Sequence, residues 1–125
     1  MNEEVRNQVM QVCEVLYNKK AQDIKAIYVE DKTIIASWFV ICSGTSVTQV
    51  KTLSDELEEK STGIGLQLKR TEGYTQGRWI VQDYGYVLVH IFIPEERQYY
   101  NMERLWLDDD PEKCINYNEL AEKEQ

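Results

Sequence analysis

A single α/β domain with five strands is the fold this sequence predicts, and three observations predict it. Residues 3–20 and 46–61 place apolar side chains at helical spacing. Residues 36–43, ASWFVICS, are apolar almost without a break, which is the pattern of a central strand covered on both faces. Residues 77–92, GRWIVQDYGYVLVHIF, read as two strands that meet near Tyr84-Gly85. The chain has 125 residues, room for one domain and not comfortably for two.

In the first helix, Val5, Val9, Val12 and Leu16 recur at spacings of four, three and four, with Cys13 beside them. Asn2 is its expected N-cap; Glu3 and Glu4 suit the positive end of the helix dipole, and Lys19 and Lys20 the other end. Residues 25–30 (KAIYVE) read as a strand, Asp31 to Thr33 as a connection and residues 36–43 as the second strand. Ser43-Gly44-Thr45-Ser46 is then a strand-to-helix turn. The second helix, 46–61, buries Val47, Val50, Leu53 and Leu57. Ser46 with Gln49 has capping-box spacing, and Gly63 is the expected residue after the helix end. Residues 66–71 (LQLKRT) alternate as a third strand, and Glu72 to Gly77 form a loop.

The hairpin turn follows from its chemistry. A two-residue loop would force Tyr84 to positive φ, which a bulky side chain resists. A three-residue loop, Asp83-Tyr84-Gly85 with Gly85 left-handed, avoids this. It pairs Val81 with Val87 and Trp79 with Val89 on one face, leaving Ile80, Gln82, Tyr86, Leu88 and His90 on the other. After Pro94, EERQYYNMERLW reads as short, irregular helix. Arg97, Tyr100 and Arg104 fall on one side, while Met102, Leu105 and Trp106 are placed to pack. The domain is expected to span residues 1–107. Residues 108–125 read as an acidic tail, marginally helical or disordered.

Formal charge is −8, and the tail holds seven acids against two lysines, so most of the bias lies there. Clustered Lys and Arg, which direct phosphate-backbone binding requires, are absent from the sequence. No apolar run nears the ~18 residues of a membrane span. MNEEVRNQVM lacks the apolar core of a signal peptide, so a cytoplasmic protein is expected. Cys13, Cys42 and Cys114 are odd in number, widely spaced and without a CxxC; they read as reduced, largely buried thiols.

Sites for chemistry are weak. His90, the single histidine, stands mid-strand among Val and Ile, a cross-strand structural position before a catalytic one. One His and three scattered Cys do not make a zinc site. The 43–46 turn could cradle a phosphate, but it matches neither a P-loop nor a dinucleotide fingerprint, and helix capping explains it. Metal-dependent nucleotidyl transfer would need closely spaced aspartates on the next strand, and LQLKRT has no carboxylate. Glu58-Glu59, Glu95-Glu96 and Asp108-Asp109-Asp110 lie on predicted solvated surfaces. What remains is Arg70, Glu72, Tyr74, Arg78, Trp79, Asp83 and Tyr84, a mixture of aromatic and ionic residues of the kind enriched at protein-docking hot spots. A sheet edge with ordinary ion pairs and a core tryptophan would account for the same residues.

Ordered pieces of the chain carry a family resemblance: ASWFVICSGTS at 36–46, QVK at 49–51, RTEG at 70–73, GRWIVQDYG at 77–85, VHIF at 89–92 and PEERQYYNMERLW at 94–106. In this order and spacing they resemble the Iojap, or ribosomal silencing factor, family from about Ile27 to Trp106. Tyr86, where a small acidic residue is commoner, and Met102, where leucine is usual, depart from the pattern; the stretch beyond Trp106 lies outside it. The resemblance implies a mixed sheet similar to nucleotidyltransferase folds without their catalytic carboxylates, no enzymatic activity and no cofactor. It implies binding to the large ribosomal subunit through its fourteenth ribosomal protein, at the subunit interface, so that the small subunit cannot dock and translation falls when nutrients are scarce. It also implies a homodimer when free. Trp79 and Asp83 match the motif positions implied to face the partner, and Arg70, Glu72, Arg78 and Tyr84 are neighbours added to them. The remaining alternatives are a nucleotidyltransferase-like phosphate binder using Ser43 to Ser46, and a homodimeric structural module with Trp79 in its interface.

Overall fold

The computed structural model describes residues 1–124. Its elements run α1 (Glu3–Asn18), β1 (Gln22–Tyr28), β2 (Trp38–Ser43), α2 (Val47–Ile64), β3 (Arg70–Glu72), β4 (Trp79–Asp83), β5 (Val87–Phe92), α3 (Pro94–Tyr100), α4 (Glu103–Trp106), β6 (Cys114–Asn116) and α5 (Tyr117–Lys123). The strands form one sheet in the order β3-β4-β5-β2-β1-β6. Only the central pair, β2 and β5, is parallel; the other neighbours are antiparallel, so the sheet is mixed.

Both long helices start where their caps place them. Asn2 Oδ1 accepts from Val5 N–H at 3.2 Å, and Ser46 Oγ accepts from Gln49 N–H at 3.1 Å. The second half of a capping box is displaced by one residue, because the Gln49 carbonyl takes the Thr45 hydroxyl at 2.8 Å and the Thr45 N–H. Helix α2 ends later than expected. Its left-handed residue is Gly65 (φ 93°), not Gly63. The turn at Gly65 sends Leu66 back into the core and lets its N–H reach Ser61 C=O at 2.9 Å.

Every residue of β2 is buried, as a strand covered on both faces should be. Helices α1 and α2 cover one face. Val9, Val12, Leu16, Val50, Leu53 and Leu57 meet Ile24, Ala26, Val40, Ile80, Val87, Val89 and Ile91 there in the larger core cluster. The opposite face has a smaller cluster, Ile27, Val29, Ala36, Phe39, Ile41 and Phe92, with Met102 and Trp106 of the α3–α4 segment against it.

Three expectations are corrected. The sheet has six strands rather than five, and the sixth comes from the stretch read as an acidic tail. Lys25, Ala26 and Ile27 of β1 pair with Asn116, Ile115 and Cys114, Ile115 is buried, and Asn118 Oδ1 accepts from Ile24 N–H at 2.7 Å. β6 and α5 thus lie beyond the boundary drawn at residue 107. The third strand is only Arg70–Glu72, since Leu66 and Leu68 pack on the helix-side core instead of pairing; it therefore does contain a carboxylate, Glu72, at the sheet edge.

The hairpin register also differs. Trp79 pairs with Phe92, Ile80 with Ile91, Val81 with His90, Gln82 with Val89 and Asp83 with Leu88. Tyr84 N–H donates to Val87 C=O at 2.9 Å, so the turn between them is the two residues Gly85-Tyr86 rather than the expected three, with Gly85 left-handed (φ 86°). Asp83 Oδ1 accepts from Gly85 N–H at 2.8 Å across the turn, and the partner of Trp79 is Phe92 rather than Val89. The consequence is that Ile80 and Gln82 share the helix-covered face with Val87, Val89 and Ile91, while Trp79, Val81 and Asp83 share the other with Leu88, His90 and Phe92.

Candidate functional site: the open face of the sheet

Helices α3 and α4 shield the middle of the second face and leave its β3–β4 side uncovered. Strand alternation and the observed pairing place Arg70, Glu72, Val81, Asp83, Trp79, Leu88, His90 and Phe92 there, because Arg70 stands opposite Asp83 and Glu72 opposite Val81. Trp79, Val81, Asp83 and Leu88 are half-buried, and Arg70 and Glu72 are exposed. Four of the six residues singled out from the sequence, Arg70, Glu72, Trp79 and Asp83, therefore share one surface.

Trp79 is the centre of an aromatic group. Its ring stacks on Phe92 at 4.9 Å and 24° and lies 4.8 Å from Tyr100 of α3. Such ring pairs contribute about 0.5–1.5 kcal/mol beyond the area they bury. The indole N–H donates to His90 Nδ1 at 3.2 Å. His90 is 7% exposed, and burial lowers its pKa from 6.5 to about 4, so the ring is neutral at ordinary pH. Phe39 meets it edge-on at 5.5 Å. Backbone geometry supports the tryptophan from behind. Gly73, in the RTEG stretch, has φ 83°, and a Cβ there would lie 2.1 Å from the Trp79 carbonyl oxygen.

The other two predicted residues are placed differently. Arg78 lies at the strand's start and ties Nε and Nη2 to Glu96 Oε1 of α3 at 3.2 and 3.1 Å, leaving its side chain half exposed. Tyr84 is only 3% exposed and belongs to the helix-side core; its hydroxyl donates to Gln82 Oε1 at 2.9 Å, and Gln82 Nε2 donates to Ser54 O and Oγ at 3.0 and 2.8 Å. It offers a partner almost no surface. Tyr74 leaves the group as well, its hydroxyl donating to Asp55 Oδ2 on α2 at 3.1 Å. Sequence reasoning missed Val81, Leu88 and Tyr100 as parts of this surface; once β4 and β5 are in register, alternation alone finds the first two.

The α3–α4 segment holds two more surprises. Leu105, expected to pack, is 74% exposed, and Arg97, placed on the side opposite the packing residues, is buried. Asn101 adopts a left-handed conformation (φ 45°) that ends α3 and turns α4 onto a new line. Arg97 crosses under it to Ser43 Oγ at 2.9 Å, to Asp23 Oδ2 at 3.4 Å and to Glu103 Oε1 at 2.5 Å.

The turn at 43–46 is occupied by the protein's own groups, with Ser43 taken by Arg97, Ser46 capping α2 and Thr45 taken by Gln49. Glu72, the carboxylate in β3, is remote from this turn, since β4 and β5 lie between β3 and β2. Among the described residues no group of three or more His, Cys, Asp or Glu could hold a metal ion. No disulfide joins the described cysteines: Cys13 and Cys42 are free and buried, with burial pushing the Cys42 thiol up to about 12, and Cys114 is half-buried. None of the helices is long and apolar enough to cross a membrane among the described residues.

Comparison with known proteins adds a further finding. The family described as "Ribosomal silencing factor during starvation" matches residues 2–125. A ribosomal silencing factor of Halalkalibacterium halodurans is 43% identical over 91 residues, 73% of this chain and 78% of that one. The mouse protein named "Mitochondrial assembly of ribosomal large subunit protein 1" is 28% identical over 95 residues, 74% of this chain and 42% of its own. Among solved structures, an X-ray crystal structure of a Chromobacterium violaceum protein superposes with a TM-score of 0.76 at 30% identity, covering 84% of this chain and 89% of that one.

Proposed function

We propose a ribosome-directed function from the premise that this chain belongs to the ribosomal silencing factor family. The protein binds the large ribosomal subunit through its fourteenth ribosomal protein and blocks the small subunit from joining. Translation is thereby repressed without catalysis and in the cytoplasm. The mouse relative, whose name places it in assembly of a large ribosomal subunit, supports the choice of subunit.

The observation that carries the reading is Trp79. It is a half-buried indole, stacked on Phe92 and flanked by the tilted ring of Tyr100, on the sheet face that no long helix covers. Arg70, Glu72 and Asp83 stand on the same face across β3 and β4. A rigid aromatic anchor with an ionic rim is the composition of a docking hot spot, and truncating such an anchor costs about 2 kcal/mol or more. The inhibition is steric: a domain with a radius of gyration of about 14 Å cannot be accommodated within a closed interface. Free in solution, the protein is a homodimer, which light scattering of the full chain tests.

Sucrose-gradient sedimentation tests the main reading. The protein is expected with isolated large subunits, and adding it to separated subunits is expected to deplete joined ribosomes. Migration with joined ribosomes, their amount unchanged, would overturn it.

A further inference from the structure

The Trp79–His90 contact bears on how the docking face is held, and its chemistry allows one protonation state. An indole N–H only donates, so the nitrogen facing it, His90 Nδ1, carries a lone pair and no proton. The proton of the neutral ring then sits on Nε2. That atom is buried and has no hydrogen-bond partner among the described residues. An orphan buried N–H is unfavourable, and an aliphatic residue here would avoid it. What the histidine supplies in exchange is the acceptor for the indole.

The strands explain the reach. Trp79 stands opposite Phe92 and His90 opposite Val81, so Trp79 and His90 are diagonal neighbours on the same face. Their ring centroids are 6.0 Å apart with the planes tilted 39°. Phe92 holds the indole by its flat side and Tyr100 flanks it, but neither fixes rotation of the indole within its plane. The bond to Nδ1 does.

We propose that His90 is a positioning residue for the docking face: from beneath the surface it fixes the orientation of the Trp79 indole through Nδ1, and partner affinity depends on that bond. This rests on the docking function above. It assigns a role to a buried histidine that touches no partner.

The test has two arms. In the free full-length protein, ¹⁵N NMR should show His90 protonated on Nε2 and bare on Nδ1. The Trp79 indole N–H should be protected from exchange, and His90→Leu should remove that protection. Affinity for purified large subunits supplies the second arm, after thermal melts establish that each variant is folded. His90→Leu should weaken binding about fivefold, the size of one net hydrogen bond. His90→Asn, whose Oδ1 stands near the place of Nδ1, should restore most of it. In a Trp79→Phe background, which lacks the donor, His90→Leu should change nothing.

Three results would overturn the proposal: a proton on Nδ1, unchanged affinity in His90→Leu, or the same fivefold loss with Trp79→Phe present. If wild-type protein does not bind large subunits at all, the docking reading fails instead. The NMR arm still decides whether His90 holds the indole.

Discussion

The two faces of the sheet are made from alternate residues of the same strands, yet they are finished differently. On the face under α1 and α2, Ile80, Gln82, Val87, Val89 and Ile91 are all fully buried, and the polar one, Gln82, is satisfied by Ser54 and Tyr84. On the opposite face, Trp79, Val81, Asp83 and Leu88 stay half-buried, and only the short α3 and α4 lie over part of it. The first face closes a core. The second buries Phe39, His90 and Phe92 but leaves Trp79 only half covered. The difference teaches that burial is complete under the two long helices, whereas on the other face it is confined to a smaller cluster and leaves the β3–β4 side exposed.

The largest expected effect breaks the helix-covered face. Ile80→Ala leaves a cavity under α2 and should lower unfolding free energy by about 3–4 kcal/mol in a denaturant melt. Folded protein should still bind large subunits as wild type does. Loss of binding in the folded variant would mean that the two faces are not separable.

A pH titration probes the second face, through His90. Burial holds the His90 pKa at about 4, below its unfolded 6.5. Between those two values the unfolded chain binds a proton that the native protein does not. Stability is therefore fully present above pH 6.5 and is lost as pH falls toward 4, by about 3 kcal/mol from this one group. Melts of wild type and His90→Asn across that window should diverge, wild type falling more steeply. Parallel curves would contradict the burial assigned to His90.

How much of this was legible beforehand differs between helices and hairpin. Helix α1 follows from its valine spacing and Asn2, and the start of α2 from Ser46, because caps and periodicity are local signals. The hairpin register depended on where the turn falls, at Gly85-Tyr86, and alternation magnifies an error there into a different set of faces. β6 is three residues long and exists by pairing with β1 some ninety positions earlier, so no local signal announces it. The residues of the candidate site were legible as types. Arg70, Glu72, Trp79 and Asp83 converge, whereas Tyr84, one position further along, points into the core. Val81, Leu88 and the bond to His90 required the register.

The smallest effect on stability sharpens the contrast. Arg70 and Glu72 form an exposed pair at 3.3 Å, a kind of contact that adds little to folding. Arg70→Ala should shift the melting temperature by less than about 2 °C while weakening affinity for large subunits. A large fall in melting temperature with intact binding would move Arg70 from the rim to the scaffold.

The most direct measurement is the affinity of Trp79→Ala for isolated large ribosomal subunits, beside wild type, with circular dichroism establishing that both are folded. Loss of a central anchor predicts binding weaker by about thirtyfold or more. A folded Trp79→Ala that binds as tightly as wild type would contradict the account.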